Sequence, residues 1–537
     1  MTSNRLPHLP DDATPMNERL AHPFIPWAPA QLRPFWQRKI RDSEVALLVM
    51  SAIFGVTVGI CVVAMEHLAQ IFHQINFAIA ADQHLSAAGR LAWWRVVIVP
   101  IIGGLLAGAA AAIIRRWRPH ETVDAIEANA LFGGKMSLID SSTLAVLTIM
   151  ASGFGASVGM EAGMTQLGGG LASRVGQSLR LRRGDLRTIV GCGAAAAIAA
   201  AFNAPLAGAF YAFELVIGSY SASVLAPISI AALFATLVVR EAFGADPIFA
   251  LDVPVRIASL DYALFALLGV VAAAIAIATM RGVTWIERLF RRLRVPPWLR
   301  PGIGGVLIAL IATIYPEVLG SGHGAVQRAL DHTFPAAILL GLVAAKGLAS
   351  AISVGAGFRG GLFSSSLLLG GAFGGAAVVA LQTIVSALNL GQGEFDRVAY
   401  ELVGMGSMAA AIIGAPVTMI LLVLELTGDF PASLGVTVGV IVASVMVRLT
   451  FGYSFATWRF HIRGVPIRGG YDIGWIQDLT VGRLMRQDVH TAPLGMSISE
   501  FRGRFPLGEN KRVFIVDAQG HYRGIVVTAD AYNPDLA

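Results

Sequence analysis

The 537-residue sequence has two cysteines, Cys61 and Cys192, and both lie inside apolar runs. Two thiols so placed exclude a disulfide framework, a zinc site and thiol redox chemistry. Charge is scarce as well: Asp, Glu, Lys and Arg together are 14% of the chain, against about 25% in soluble domains. The apolar residues AVILMFWYC reach 55% and mean hydropathy is +0.67. These proportions exclude a soluble enzyme of ordinary surface, a disordered chain and a fibre. Glycine, by contrast, is abundant at 59 residues, and in so apolar a chain it predicts helices packed closely through small residues. The expectation is an all-α polytopic membrane protein, with the lipid bilayer as its first partner and no metal or cofactor.

The net charge of +6 gathers in short connectors, with clusters at Arg115–Arg118, Arg174–Arg187 and Arg288–Arg300. That is the positive-inside pattern of cytoplasmic loops. Nucleic acid is not an expected partner, since no basic face with groove-reading or stacking residues accompanies the charge. Residues 1–44 hold seven of the 24 prolines and no apolar run, so they read as a disordered cytoplasmic extension rather than a cleaved signal peptide. Arg38-Lys39-Ile40-Arg41 precedes the first span, and Val45 to Met65 carries no charge, long enough to cross about 30 Å of hydrocarbon. Further apolar runs fall near 96–114, 143–158, 188–213, 222–239, 262–279, 302–314, 336–353, 361–389, 402–424 and 435–448. Several are short or interrupted by glycine and proline, and broken helices at membrane depth are tolerated where they line a transport site. From residue 465 to 537 charges return and a strand-like Val513–Val516 appears, which reads as a small α/β cytoplasmic segment.

An internal repeat divides the membrane region into about 45–255 and 256–464. Gly191-Cys192-Gly193 leads to Asn203-Ala204-Pro205 and Glu214-Leu215, as Gly404-Met405-Gly406 leads to Gly414-Ala415-Pro416 and Glu425-Leu426. The offsets are 213 at the first glycine and 211 at the proline and glutamate. Duplicated transporter halves place their substrate near the midplane, where half-helix N-termini converge. Glu161, in Gly159-Met160-Glu161-Ala162-Gly163, is a lone carboxylate at a glycine-flanked break. Such a group marks an ion pathway or protonatable gate, set against the plainer reading of a carboxylate at a helix N-terminus. Amides at a glycine-rich turn suit an anion or that same carboxylate, so the two compete for one place. The cradle is expected from Gly159, Met160, Ala162 and Gly163 together with Gly361, Leu362 and Phe363 in the comparable break at 355–364. For Glu214, pairing with a helix end or loop arginine stands equal to a role in proton transfer.

Enzyme signatures fail on context. Residues 355–360 match GxGxxG, yet no acidic residue follows before Glu394, so the ribose-binding carboxylate of a dinucleotide site is missing. Gly155–Gly159 matches GxSxG inside an apolar run without partners in hydrolase order. His120-Glu121 begins an HExxH whose fifth position is Asp124.

Taken in order, Glu161 with its glycines, Ala201–Gly208, Val318-Leu319-Gly320-Ser321-Gly322-His323-Gly324-Ala325, Gly360-Gly361-Leu362-Phe363 and Glu425-Leu426-Thr427-Gly428-Asp429 resemble the CLC chloride channels and transporters over residues 45–464. The resemblance implies an inverted repeat of broken, tilted helices, a homodimer with one pathway per subunit, and transport of chloride or a similar small anion. It implies that Glu161 is the gating glutamate, although Met160, Ala162 and Gly163 depart from the family's GREGP. Leu362 and Phe363 resemble the amides of GxFxP, with Ser364-Ser365 replacing its last two residues. The inner hydroxyl ligand falls at His120 or Glu121, with Thr122 beside it. The pore tyrosine falls at Ala456, with Tyr453 three residues away. The inner proton glutamate falls at Leu215, next to Glu214. Chloride/proton exchange is the favoured mechanism, against a passive gated channel and, more remotely, a non-transporting sensor. The tail resembles a single CBS motif; these work in pairs, so nucleotide sensing is not expected. A multi-pass protein of a bacterial inner membrane with both termini cytoplasmic completes the expectation.

Overall fold

The computed structural model describes residues 44–89, 91–119, 122–244, 255–331, 334–388, 395–464, 467, 489–509 and 511–535. The expected N-terminal extension lies outside these except for Glu44, as does the start of the tail. Contacts divide the chain into two units, Met1–Ile473 and Gly474–Ala537.

The first unit is helical. Its first half runs α1 (Glu44–Phe77), α2 (Trp93–Trp117), α3 (Ala125–Leu131), α4 (Leu138–Gly153), α5 (Glu161–Ser178), α6 (Arg183–Phe202), α7 (Pro205–Tyr211), a π-helical turn (Ala212–Ile217) and α8 (Ala222–Phe243). The second half runs α9 (Ser259–Arg292), α10 (Arg300–Ala312), α11 (His323–Leu330), α12 (Ala336–Ala356), α13 (Phe363–Ala387), α14 (Arg397–Ile413), α15 (Pro416–Thr427), α16 (Phe430–Thr450) and α17 (Phe455–Ile462). Eight helices among the described residues are long and apolar enough to cross a membrane. Exposed Trp93 and Trp117 mark the two ends of α2, about 36 Å apart at 1.5 Å per residue, the spacing of two interfacial aromatic belts.

Two apolar runs are each two helices. The run 188–213 breaks at Asn203, whose φ of 50° places it in the left-handed region, and Pro205 then opens α7. The run 402–424 breaks the same way at Gly414, φ 83°, before Pro416 opens α15. A left-handed residue ends the helix and proline suits the first turn of the next, so both halves turn at equivalent points.

The tertiary contacts sharpen the repeat. A Cβ on Gly168 would lie 2.4 Å from the Gly193 carbonyl oxygen, and one on Gly193 would lie 2.2 Å from that of Gly168. In the second half Gly370 and Gly404 meet in the same reciprocal way, at 2.3 Å each. Backbones of α5 with α6, and of α13 with α14, therefore approach as closely as glycine allows. The equivalent of Gly404 is Gly193, not Gly191, and the offset becomes 211, matching the proline and the glutamate.

The second unit holds β1 (Thr491–Pro493), α18 (Ile498–Arg504), β2 (Arg512–Val516), β3 (Tyr522–Val527) and α19 (Thr528–Ala531). β1 runs parallel to β2, and β2 antiparallel to β3. Ala492, Phe501, Phe505, Val513 and Ala531 form its own small core.

Candidate functional site: two helix starts around one carboxylate

Asp140, Asp396 and Asp429 sit near helix starts, where Ser137, Asp396 and Asp429 side chains accept backbone N–H bonds and cap α4, α14 and α16. α5, α11 and α13 differ, since Met160, Gly322 and Leu362 supply no side-chain cap. Their first N–H groups are left to other acceptors.

The segments leading into α5 and α13 cross in an antiparallel bridge. Gly159 N–H donates to the Gly361 carbonyl at 2.9 Å, and Gly361 N–H to the Gly159 carbonyl at 3.0 Å. Two breaks about 200 residues apart in sequence thus become one locus, holding the seven cradle residues predicted from the two motifs. Ser157 strengthens the junction, its N–H donating to Ser353 Oγ at 3.0 Å and its hydroxyl lying 3.1 Å from that of Ser350.

Glu161 opens α5 with 4% of its surface exposed. Its Oε1 accepts a hydrogen bond from Ser364 Oγ. Oε2 is buried with no hydrogen-bond partner among the described residues, and a Cβ on Gly159 would lie 2.1 Å from it. His323, first residue of α11, places Nε2 2.8 Å from Ser364 Oγ and 3.9 Å from Glu161 Oε1. Phe202 stacks on Phe363 at 4.7 Å and meets the His323 ring edge-on at 5.8 Å, closing the site from the end of α6. Lys346 of α12 is fully buried and donates to the carbonyls of Val318 at 3.2 Å and Gly320 at 2.9 Å, in the turn before α11. Ser364, His323 and Glu161 do not form a nucleophilic triad, because there the histidine stands between serine and acid, whereas here the serine stands between the other two.

The remaining predicted residues lie apart. Glu214 accepts from Val417 N–H and Thr418 N–H, both at 2.9 Å, and from Thr418 Oγ1 at 2.5 Å. Glu425 answers from the other half, accepting from Leu206 N–H and Ala207 N–H at 2.8 Å. Each repeat thus caps the short proline-led helix of the other. Leu215 is buried in an apolar cluster with Val216, Ala415 and Phe460. Tyr453 stacks on His461 at 4.5 Å, with its hydroxyl 3.2 Å from Nδ1, while Ala456 packs in the Leu215 cluster beside Tyr211. Thr122 is half-buried ahead of α3, whose cap is Asp124, accepting from Glu127 N–H at 2.8 Å. His120 lies outside the described residues.

Sequence reasoning missed Ser364 and His323 as neighbours of Glu161, and Lys346 as the side chain that holds the turn before α11. Their signals were present: a serine where a motif departs, a histidine amid glycines, and a lone lysine in an apolar run.

An apolar bundle of broken helices, duplicated and meeting head-on at a buried carboxylate, defines the class of membrane ion-transport proteins. The chain matches the family model described as voltage gated chloride channel over residues 103–448, and it belongs to that family. It is 30% identical over 411 residues to a putative chloride channel protein ClcB-like of Ralstonia nicotianae, covering 75% of this chain and 94% of the relative. It is 29% identical over 412 residues to the voltage-gated ClC-type chloride channel ClcB of Escherichia coli O81, covering 75% and 95%. Among solved structures, a slow cyanobacterial Cl−/H+ antiporter superposes with a TM-score of 0.65 at 21% identity, covering 78% of this chain and 97% of the other. A CLC-type fluoride/proton antiporter gives 0.60 at 19%, covering 75% and 95%. The protein is therefore a multi-pass membrane protein of the CLC fold.

Proposed function

We propose that the protein carries chloride or a similar small anion across the membrane, with Glu161 as the gate, and that it exchanges the anion for protons. The observation that carries this reading is the Gly159–Gly361 bridge, which brings two uncapped helix starts to one carboxylate. Partial positive charge at those starts favours whichever anion is present, the side chain or a solute ion. When Glu161 is protonated it loses that attraction and leaves the place to the solute. Falling pH then raises flux. The backbone donors at Gly159–Gly163 and Gly361–Phe363 serve as the cradle, and a homodimer in a bacterial inner membrane with cytoplasmic termini belongs to the same reading; the relatives above are bacterial.

A passive gated channel is the second reading, favoured by the burial of Leu215 in an apolar cluster. One assay separates the two. Purified protein in chloride-loaded liposomes is allowed to release chloride while external pH is followed. Proton uptake in fixed proportion to chloride supports exchange, and chloride release that needs a potassium ionophore, without proton movement, supports the channel. Glu161→Ala is expected to raise flux and flatten its pH dependence. Unchanged flux with unchanged pH dependence would falsify Glu161 as the gate.

A further inference from the structure

The backbone cradle accounts for one kind of donor at Glu161, but the carboxylate is held by another. Its Oε1 receives a proton donor from a side chain, Ser364, which is fully buried. An ionised carboxylate only accepts, and a serine hydroxyl has one proton to give. With that proton directed at Oε1, the 2.8 Å contact between Ser364 Oγ and His323 Nε2 requires Nε2 to carry hydrogen and donate to the serine. The result is a line of two donors, His323 to Ser364 to Glu161, assembled from α11, α13 and α5. His323 packs in a T-shaped contact with Phe202, which stacks on Phe363, the residue that precedes Ser364.

We infer that Ser364 and His323 form a side-chain clamp for the anion position at the cradle, holding the Glu161 carboxylate when it is in place and ligating a small anion when it is out. The inference rests on the reading of Glu161 as a gate. When the carboxylate leaves, the Ser364 hydroxyl keeps its proton aimed at the vacated position. His323 Nε2–H, 3.9 Å from Oε1, lies near enough to turn to the same anion. Both donors replace hydration, so their loss penalises a strongly hydrated anion such as chloride more than a weakly hydrated one such as nitrate. The clamp thereby sets both how firmly the gate closes and which anion displaces it.

The two roles respond oppositely to one substitution. In the otherwise unaltered protein, Ser364→Ala loosens the carboxylate, and chloride flux from liposomes at neutral pH is expected to rise several-fold. In the Glu161→Ala background the same change removes an anion ligand. Chloride affinity of the purified full-length protein, measured by calorimetry, is then expected to fall about ten-fold, the scale of one hydrogen bond to a charged group. Nitrate affinity falls less. General loosening of the fold would lower both flux and affinity, so the opposed signs mark a ligand. Ser364→Thr, which keeps the hydroxyl, restores both, and His323→Phe repeats the Ser364→Ala signs at smaller size. Altered flux in Glu161→Ala, combined with a chloride affinity there indifferent to Ser364→Ala, overturns the clamp alone. Unchanged flux with unchanged pH dependence in Glu161→Ala overturns the gate and the clamp with it.

Discussion

Glu161 Oε2 faces Gly159 with no room between them: the three atoms nearest a Cβ there all belong to the Glu161 carboxylate, Oε2 at 2.1 Å, Cδ at 3.0 Å and Oε1 at 3.2 Å. Gly159 is thus fitted to the position that this one side chain holds in the structure. Gly159→Ala is expected to push the carboxylate off its donors and raise neutral-pH flux several-fold. In Glu161→Ala the three nearest obstacles to the methyl group are gone, so the double variant is expected to behave as Glu161→Ala alone. Additive effects in the flux assay would show that Gly159 acts through the backbone instead, since independent sites add and contacting ones do not. Glu161 stood out in sequence because a lone acid in an apolar, glycine-flanked stretch is costly to bury, and the structure does bury it. Its partners could not be read. Ser364 and His323 lie 203 and 162 positions away, and nothing local to either states which carboxylate it meets.

Among the elements, α7 and α15 are short helices whose first amides are capped across the repeat by Glu425 and Glu214. Each carboxylate holds at least two N–H groups that their own helices leave unpaired. Glu425→Ala and Glu214→Ala are expected to destabilise the protein by similar amounts, on the order of 2–3 kcal/mol each, from lost hydrogen bonds to a charged group. Thermal unfolding in detergent measures this as two comparable falls in Tm. A Glu214→Ala variant with undiminished Tm that abolishes proton movement would instead put Glu214 on the proton route. The close glycine pairs make a related prediction. Gly404→Val sets side-chain carbon within reach of the Gly370 carbonyl, 2.3 Å from the position of Cβ, and separates α13 from α14. Loss of folded, monodisperse protein on size-exclusion chromatography is the expected result. The repeat itself could be read from Pro205, Pro416 and the two glutamates. The correct glycine register came only from contact, because in a run as rich in Gly and Ala as 191–201 several alignments look equal.

For the whole molecule, the two units have separate hydrophobic cores, the second built on Phe501, Phe505 and Val513. Removal of residues 474–537 is therefore expected to leave chloride flux within two-fold of the full chain in the liposome assay, and a large loss would tie transport to the tail. Composition alone determined that the chain enters a membrane: 14% charge with a mean hydropathy of +0.67 leaves too little polar surface for water. The apolar runs and the proline breaks were local signals, and the repeat showed as the same short motif recurring 211 residues later. The tertiary structure alone decided that the breaks at 159–163 and 359–363 bridge, that Glu161 is held by a serine and a histidine, and that Glu214 and Glu425 cap opposite helices. Backbone amides carry no sequence signature of the acceptor they will find, and helices packed through glycine can slide by a turn at little cost in hydrophobicity. Only closure of the bundle fixes which donor faces which carboxylate.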